Sequence, residues 1–215
     1  MKLIKTLFVS TLLSSILVSC NSYTAPEEQF QESVTAYLNG DYYKAFKLLL
    51  PLAEQGYSVA QFNVGTMYAE GQGVKQNFSE AYKWYYKASM QGYTKAAYNI
   101  AKLFDEGNGV DQNDFKAVEW YTQAAKNGDD RAKFNLASMY RDGRGVKQDS
   151  IIAIKLFSEL AMKGDASAQN NLGVIYASGN GVKKNKSLAK KWFGIACDNG
   201  DKKGCGNYSK INQEN

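Results

Sequence analysis

Apolar side chains recur along most of this chain at spacings of three and four, as expected of helices that bury one stripe. Ala60, Val64, Met67 and Tyr68 make one such stripe. Gly71 then closes the helix, because glycine takes the left-handed conformation at a helix end, and Gly73 continues a tight loop. Ala81, Trp84, Tyr85 and Ala88 form a second stripe, ended by Gly92. The pattern predicts a pair of antiparallel helices, with small residues where backbones approach and aromatic rings between pairs.

The pair recurs every 36 residues. Gly56, Gly92, Gly128, Gly164 and Gly200 share one register. The loops Gly71-Gln72-Gly73-Val74, Gly107-Asn108-Gly109-Val110, Gly143-Arg144-Gly145-Val146 and Gly179-Asn180-Gly181-Val182 share another. Ala60, Ala96, Ala132 and Ala168 also align, as do Ala81, Ala117, Ala153 and Ala189, and Trp84, Trp120, Leu156 and Trp192. One pair cannot bury its stripe alone, so neighbouring pairs must stack.

Composition narrows the chemistry. The 215 residues are 44% hydrophobic and 22% charged, enough for a packed core, and they include no histidine. Ser-His and Cys-His catalysis and histidine-ligated metals are therefore excluded, and no cofactor or metal site is expected. Thirteen of the nineteen glycines fall in the periodic registers, so they mark helix ends rather than flexible stretches.

Residues 1–19 have the form of a secretory leader: Lys2 and Lys5 precede a twelve-residue apolar run from Leu7 to Val18, too short to span a bilayer. The following Leu17-Val18-Ser19-Cys20 resembles the lipobox of bacterial lipoproteins. The resemblance implies cleavage before Cys20, lipidation of its thiol and stable membrane attachment through several acyl chains. Asn21 rather than Asp after the cysteine points, by the sorting rule of Gram-negative lipoproteins, to the outer membrane, with the chain facing the periplasm or the surface. Without Lys2 and Lys5 the net charge falls from +5 to +3, too mild to suggest nucleic acid.

Gln61-Phe62-Asn63-Val64-Gly65-Thr66-Met67-Tyr68, the Gly-x-Gly-Val loop and Ala81-Tyr82-Lys83-Trp84-Tyr85-Tyr86-Lys87-Ala88 resemble Sel1-like repeats, relatives of the tetratricopeptide repeat. The resemblance covers about residues 27–208. It implies an all-α, right-handed superhelical solenoid of antiparallel helix pairs. Residues 20–26 form a tether, 27–56 an N-terminal cap lacking the glycine loop, and 57–92, 93–128, 129–164 and 165–200 four repeats, before a partial helix and tail at 201–215. Pro51 is expected to kink the second helix of the cap.

Cys197 and Cys205 flank the Gly200 turn, where a disulfide fits if their backbones approach within about 7 Å. Export supplies an oxidising compartment, and lipidation of Cys20 leaves an even pair. The spacing also resembles that of the cysteine-rich Sel1-like proteins of Helicobacter. A redox or metal pair is the rival reading, but the spacing is not Cys-x-x-Cys and histidine is lacking.

Sel1-like repeats resemble adaptors that hold protein or peptide partners in a concave groove. Alignment with the tetratricopeptide pattern places Phe62, Tyr98, Phe134 and Asn170 in one groove column and Thr66, Lys102, Ser138 and Val174 in the next. Asn63, Asn99, Asn135 and Asn171 flank them, either gripping an extended backbone or fixing the stacking of helices. The expected function is a membrane-anchored interaction scaffold. The cysteine-rich relatives are associated with penicillin binding and weak β-lactamase activity, and Ser187-Leu188-Ala189-Lys190 matches Ser-x-x-Lys, but the companion motifs are absent. A surface protein engaging host factors is a third possibility carried by the family.

Overall fold

A computed structural model describes residues 25–213; the leader, Cys20 and residues 21–24 of the tether lie outside the described residues. Among these residues the chain is all-α. Its helices are α1 (Ala25–Leu38), α2 (Tyr42–Glu54), α3 (Ser58–Glu70), α4 (Phe78–Met90), α5 (Lys95–Glu106), α6 (Asp114–Lys126), α7 (Asp130–Asp142), α8 (Ser150–Met162), α9 (Ala166–Ser178), α10 (Lys186–Asp198) and α11 (Lys202–Gln213). None is long and apolar enough to cross a membrane. The described residues divide into two compact units, one up to Gln91 and one from Gly92 onward.

Local chemistry sets the helix ends. Each second helix of a repeat begins at an Asx residue whose side chain accepts from a backbone amide three residues on. Asn77 takes Glu80 at 3.1 Å, Asn113 takes Lys116 at 3.0 Å, Asp149 takes Ile152 at 3.0 Å and Asn185 takes Leu188 at 2.9 Å. Each first helix ends on a left-handed glycine, at Gly71, Gly107, Gly143 or Gly179. The shorter cap pair turns at Gly40, and Asp41 caps α2, which stays helical through Pro51 to Glu54.

In the first unit α1 packs on α2, α2 on α3 and α3 on α4. Leu49, Leu52, Val64, Met67 and Trp84 fill the space between them. In the second unit each helix from α5 to α11 packs on the next, and α11 also reaches α9. Phe157, Leu160, Leu172 and Ile175 form its larger core, and Ala189, Phe193 and Ile211 a smaller one at its C-terminal end. All eight alanines of the two recurring registers are 0% exposed, so they stand where helices touch and a larger side chain has no room.

The second glycine of the loop has a further reason to be glycine. A β-carbon on Gly73 would collide with the backbone carbonyl of Tyr42, the first residue of α2, and one on Gly145 with that of Asp114, the first residue of α6. The loop of one pair thus rests on the start of the second helix of the pair before it. At Gly181 a β-carbon would instead meet the side chain of Ser150, the first residue of α8, whose hydroxyl donates to the Asn180 carbonyl at 2.7 Å.

Candidate functional site

The outer faces of α5, α7 and α9 in the second unit bring together the residues that the repeat left uncommitted. Asn99 and Lys102 lie on α5, Asn135 and Ser138 on α7, Asn171 and Val174 on α9, each pair three residues apart and so on one side of its helix. Lys102 and Val174 are exposed and the other four are half-buried.

The aromatic column stands differently from expectation. The Tyr98 ring lies 5.9 Å from Tyr121, Phe134 lies 5.4 Å from Phe157, and Phe62 lies 5.6 Å from Tyr85. These positions are one residue short of the outer face, on the flank that meets the second helix of the same pair. Tyr98 and Phe134 remain half-buried, but Phe62 is only 4% exposed and is part of the interior. Asn63 and Thr66 are interior as well: α3 is buried at every position from Ala60 to Met67. Thr66 donates to the Phe62 carbonyl at 3.1 Å and accepts from the Tyr85 hydroxyl at 3.2 Å. Asn170, also buried, accepts from Asn207 of α11 at 2.9 Å. These four residues are corrected from groove lining to helix packing.

Two asparagines of the ladder make ties within the protein. The Asn135 amide bonds the Tyr121 hydroxyl, which in turn donates to Asp105 at 3.2 Å. Burial, reinforced by the Asp105 carboxylate, pushes Tyr121 well above the usual tyrosine range. Asn171 donates to the Ser167 carbonyl at 2.8 Å and accepts from the Arg141 guanidinium, joining α9 to α7.

Three arginines that the periodic pattern does not reveal shape this face. Arg131 stacks 4.0 Å over the Tyr98 ring and pairs with Asp129 at 2.6 Å. Burial raises the Asp129 carboxyl, but hydrogen bonds from Arg131 and the Ala132 amide outweigh it and hold the group below its usual range. Arg144 bridges Asp105 and Asp114, which holds its guanidinium firmly protonated. These side chains occur once each and carry no period; the signal in the sequence is that all the arginines of the chain fall between positions 131 and 144.

Cys197 and Cys205 form a disulfide, with α-carbons 4.4 Å apart, that joins α10 to α11. Ser187 sits exposed in the first turn of α10, and the Lys190 ammonium lies 5.9 Å from the Tyr208 ring centroid.

The Sel1 repeat matches residues 35–57, 58–93, 94–129, 130–165 and 166–201, so even the short cap pair belongs to the array. The chain is 31% identical to the protective antigen c5321 of uropathogenic Escherichia coli, which displays an SLR fold, with a TM-score of 0.78 over 86% of this chain and 41% of that one. It is 34% identical to a Sel1 repeat protein of Oxalobacter formigenes, with a TM-score of 0.73 over 86% of this chain and 76% of that one. The cysteine-rich protein B of Helicobacter pylori is more distant, at 14% identity and a TM-score of 0.39 over 86% of this chain and 98% of that one. This chain therefore spans about two fifths of the length of the Escherichia antigen. No curated protein is significantly similar to it. Five matched repeats, an all-helical fold among the described residues and two solved relatives above 30% identity lead to one assignment: the chain belongs to the Sel1 repeat family.

Proposed function

We propose that this protein is a lipid-anchored scaffold of the bacterial envelope that holds a protein partner on the open face of α5, α7 and α9. Sel1 repeats are in general non-catalytic modules of protein interaction. The observation that carries the proposal is the outer face itself. Asn99, Lys102 and Ser138 present amide, ammonium and hydroxyl groups beside the Arg131-stacked Tyr98 ring and the exposed Val174, a polar surface with apolar anchors of the kind that recognises a peptide.

The envelope placement rests on the leader and on Leu17-Val18-Ser19-Cys20, with Cys20 as the lipidated residue. The similar Escherichia protein is a protective antigen, which fits a location that antibodies can reach, and an outer-membrane anchor is the form of that location proposed here.

Two experiments test the two halves separately. Cys20→Ala moves the protein from the membrane fraction to the soluble envelope fraction; continued sedimentation with membranes defeats the anchor. Photocrosslinkers at positions 102 and 138 capture one reproducible protein in cells, and the pair Lys102→Glu and Ser138→Arg abolishes that capture while the helical circular dichroism stays unchanged. Undiminished capture by the double variant sinks the scaffold reading of this face.

A further inference from the structure

The C-terminal end of the second unit differs in charge from everything before it. Residues 179–213 hold eight lysines and two aspartates, whereas residues 20–178 carry a net charge of −2.

Two of these lysines depart from the repeat. The position of Lys184 is held elsewhere by Gln76, Gln112 and Gln148, whose amides tie the loop down by donating to the carbonyls of Ala69 at 2.8 Å, Asp105 at 3.0 Å and Arg141 at 2.7 Å. Lys184 replaces that amide with a charge, while its β-carbon keeps the packing against Gly179. Lys186 stands where the preceding pairs have Asp114 and Ser150, so at this position the charge has reversed relative to Asp114.

Both lysines border a cleft of about 350 Å³ between α9, α10 and α11. Its floor is apolar: Phe193 is 4% and Ile211 7% exposed, with Val174 beside them. Lys210 of α11 completes the rim, and no acidic side chain among the described residues lines the cleft. Among the described residues neither Lys184 nor Lys210 enters an ion pair.

We propose that this cleft binds an acidic segment of a protein partner, with one apolar side chain of the segment seated over Phe193 and Ile211 and its carboxylates paired with Lys184, Lys186 and Lys210. The shape favours a peptide over the other anionic ligands. A bilayer requires apolar groups that stand proud of the surface, and Phe193 and Ile211 are recessed. Single-stranded nucleic acid requires an exposed ring on which a base can stack, and the Phe193 ring offers none. The site shares Val174 of α9 with the face proposed above, while its lysines lie on the loop before α10, on α10 and on α11.

The test uses the full chain carrying Cys20→Ala and three fluorescent peptides: one alternating Glu with Leu and Phe, one with Gln for Glu, and one with Ser for Leu and Phe. The acidic apolar peptide binds, and its affinity falls when salt is raised from about 0.05 to about 0.5 M. The pair Lys184→Glu and Lys210→Glu weakens it about tenfold or more, since two reversed contacts each contribute up to roughly 1 kcal/mol. The pair Lys102→Glu and Ser138→Arg leaves it unchanged, which separates this site from the face of α5 and α7. Equal binding of the Gln or Ser peptide overturns the proposal, as does equal affinity of the Lys184/Lys210 double variant. Cosedimentation with phosphatidylglycerol vesicles in the absence of peptide binding also overturns it.

Discussion

Gln169 donates its side-chain amide to the Ala161 carbonyl at 3.1 Å across the Gly164 turn, and 36 residues later Cys205 and Cys197 hold the same two positions as a disulfide. Gln61 and Ala53 make the same amide tie in the first unit, also at 3.1 Å. In both cases a residue of the following turn completes the clamp: Gln91 donates to Gln61 at 2.7 Å and Asn199 to Gln169 at 2.9 Å. At Cys205 a covalent bond takes the place of that hydrogen-bonded clamp.

The two clamps differ in what their loss costs. Gln169→Ala removes one hydrogen bond to the Ala161 carbonyl, which keeps the Gly164 amide, and one from the exposed Asn199 amide, a loss of about 1 kcal/mol. Cys197→Ser with Cys205→Ser removes a short covalent loop worth about 2.5 kcal/mol in the chain-entropy account. Urea unfolding of the second unit measures both. A double-serine variant as stable as the parent shows that α11 is held by the packing of Ile211 on Ala189 and Phe193 alone.

The glycines offer a graded series. Gly206 lies in α11 with an ordinary φ and open space around it, so Gly206→Ala stabilises by about 0.5–1 kcal/mol through helix propensity. Gly128 has φ +87° and equally open space, so Gly128→Ala costs about 1–2 kcal/mol from backbone strain alone. Gly145 combines φ +64° with the Asp114 carbonyl in the path of a β-carbon. Gly145→Ala must move the loop off α6 and costs roughly 3 kcal/mol or more. Thermal melts that rank the three variants in any other order contradict these contacts.

The helix pairs and their glycine stops were legible because each is fixed by chemistry within a few residues. Gly107 closes α5 whatever surrounds it. The identity of the outer face was less legible. Phe62 and Phe134 hold the same place in the repeat, yet one is interior and the other half-buried, because exposure depends on what covers a helix from outside its own pair. Arg131, Arg144 and Lys184 escaped for another reason: periodicity finds what recurs, and these side chains interact through being exceptions. The Cys197–Cys205 pair was readable because its spacing straddles a turn already located by Gly200.

Tyr121 makes the second unit sensitive to alkali. Burial and the Asp105 carboxylate raise its folded pKa above the unfolded value of about 10. A raised acid of this kind contributes stability that is fully present below the unfolded pKa and is lost as pH rises toward the folded one. The parent protein therefore loses stability between about pH 10 and pH 12, and Tyr121→Phe, which has no proton to lose, is flatter over the same range. Parallel pH profiles for the two proteins place the alkaline loss elsewhere.

Asp129 predicts the complementary acid limb. Its carboxylate accepts from the Arg131 amide at 2.9 Å and the Ala132 amide at 3.1 Å at the start of α7, and it pairs with the guanidinium that covers Tyr98. The folded pKa is held below the ordinary aspartate value of about 3.9, so its contribution is complete above that value and fades as pH falls through the depressed one. Asp129→Asn keeps an acceptor for the cap but removes the charge, and the variant melts lower than the parent at pH 7. As pH is lowered through that depressed value the parent carboxyl is protonated too, and the gap between the two melting temperatures narrows. A gap that stays constant as the acid limb is descended assigns the effect to shape rather than to charge, and the ion pair then contributes nothing to holding Arg131 over the Tyr98 ring.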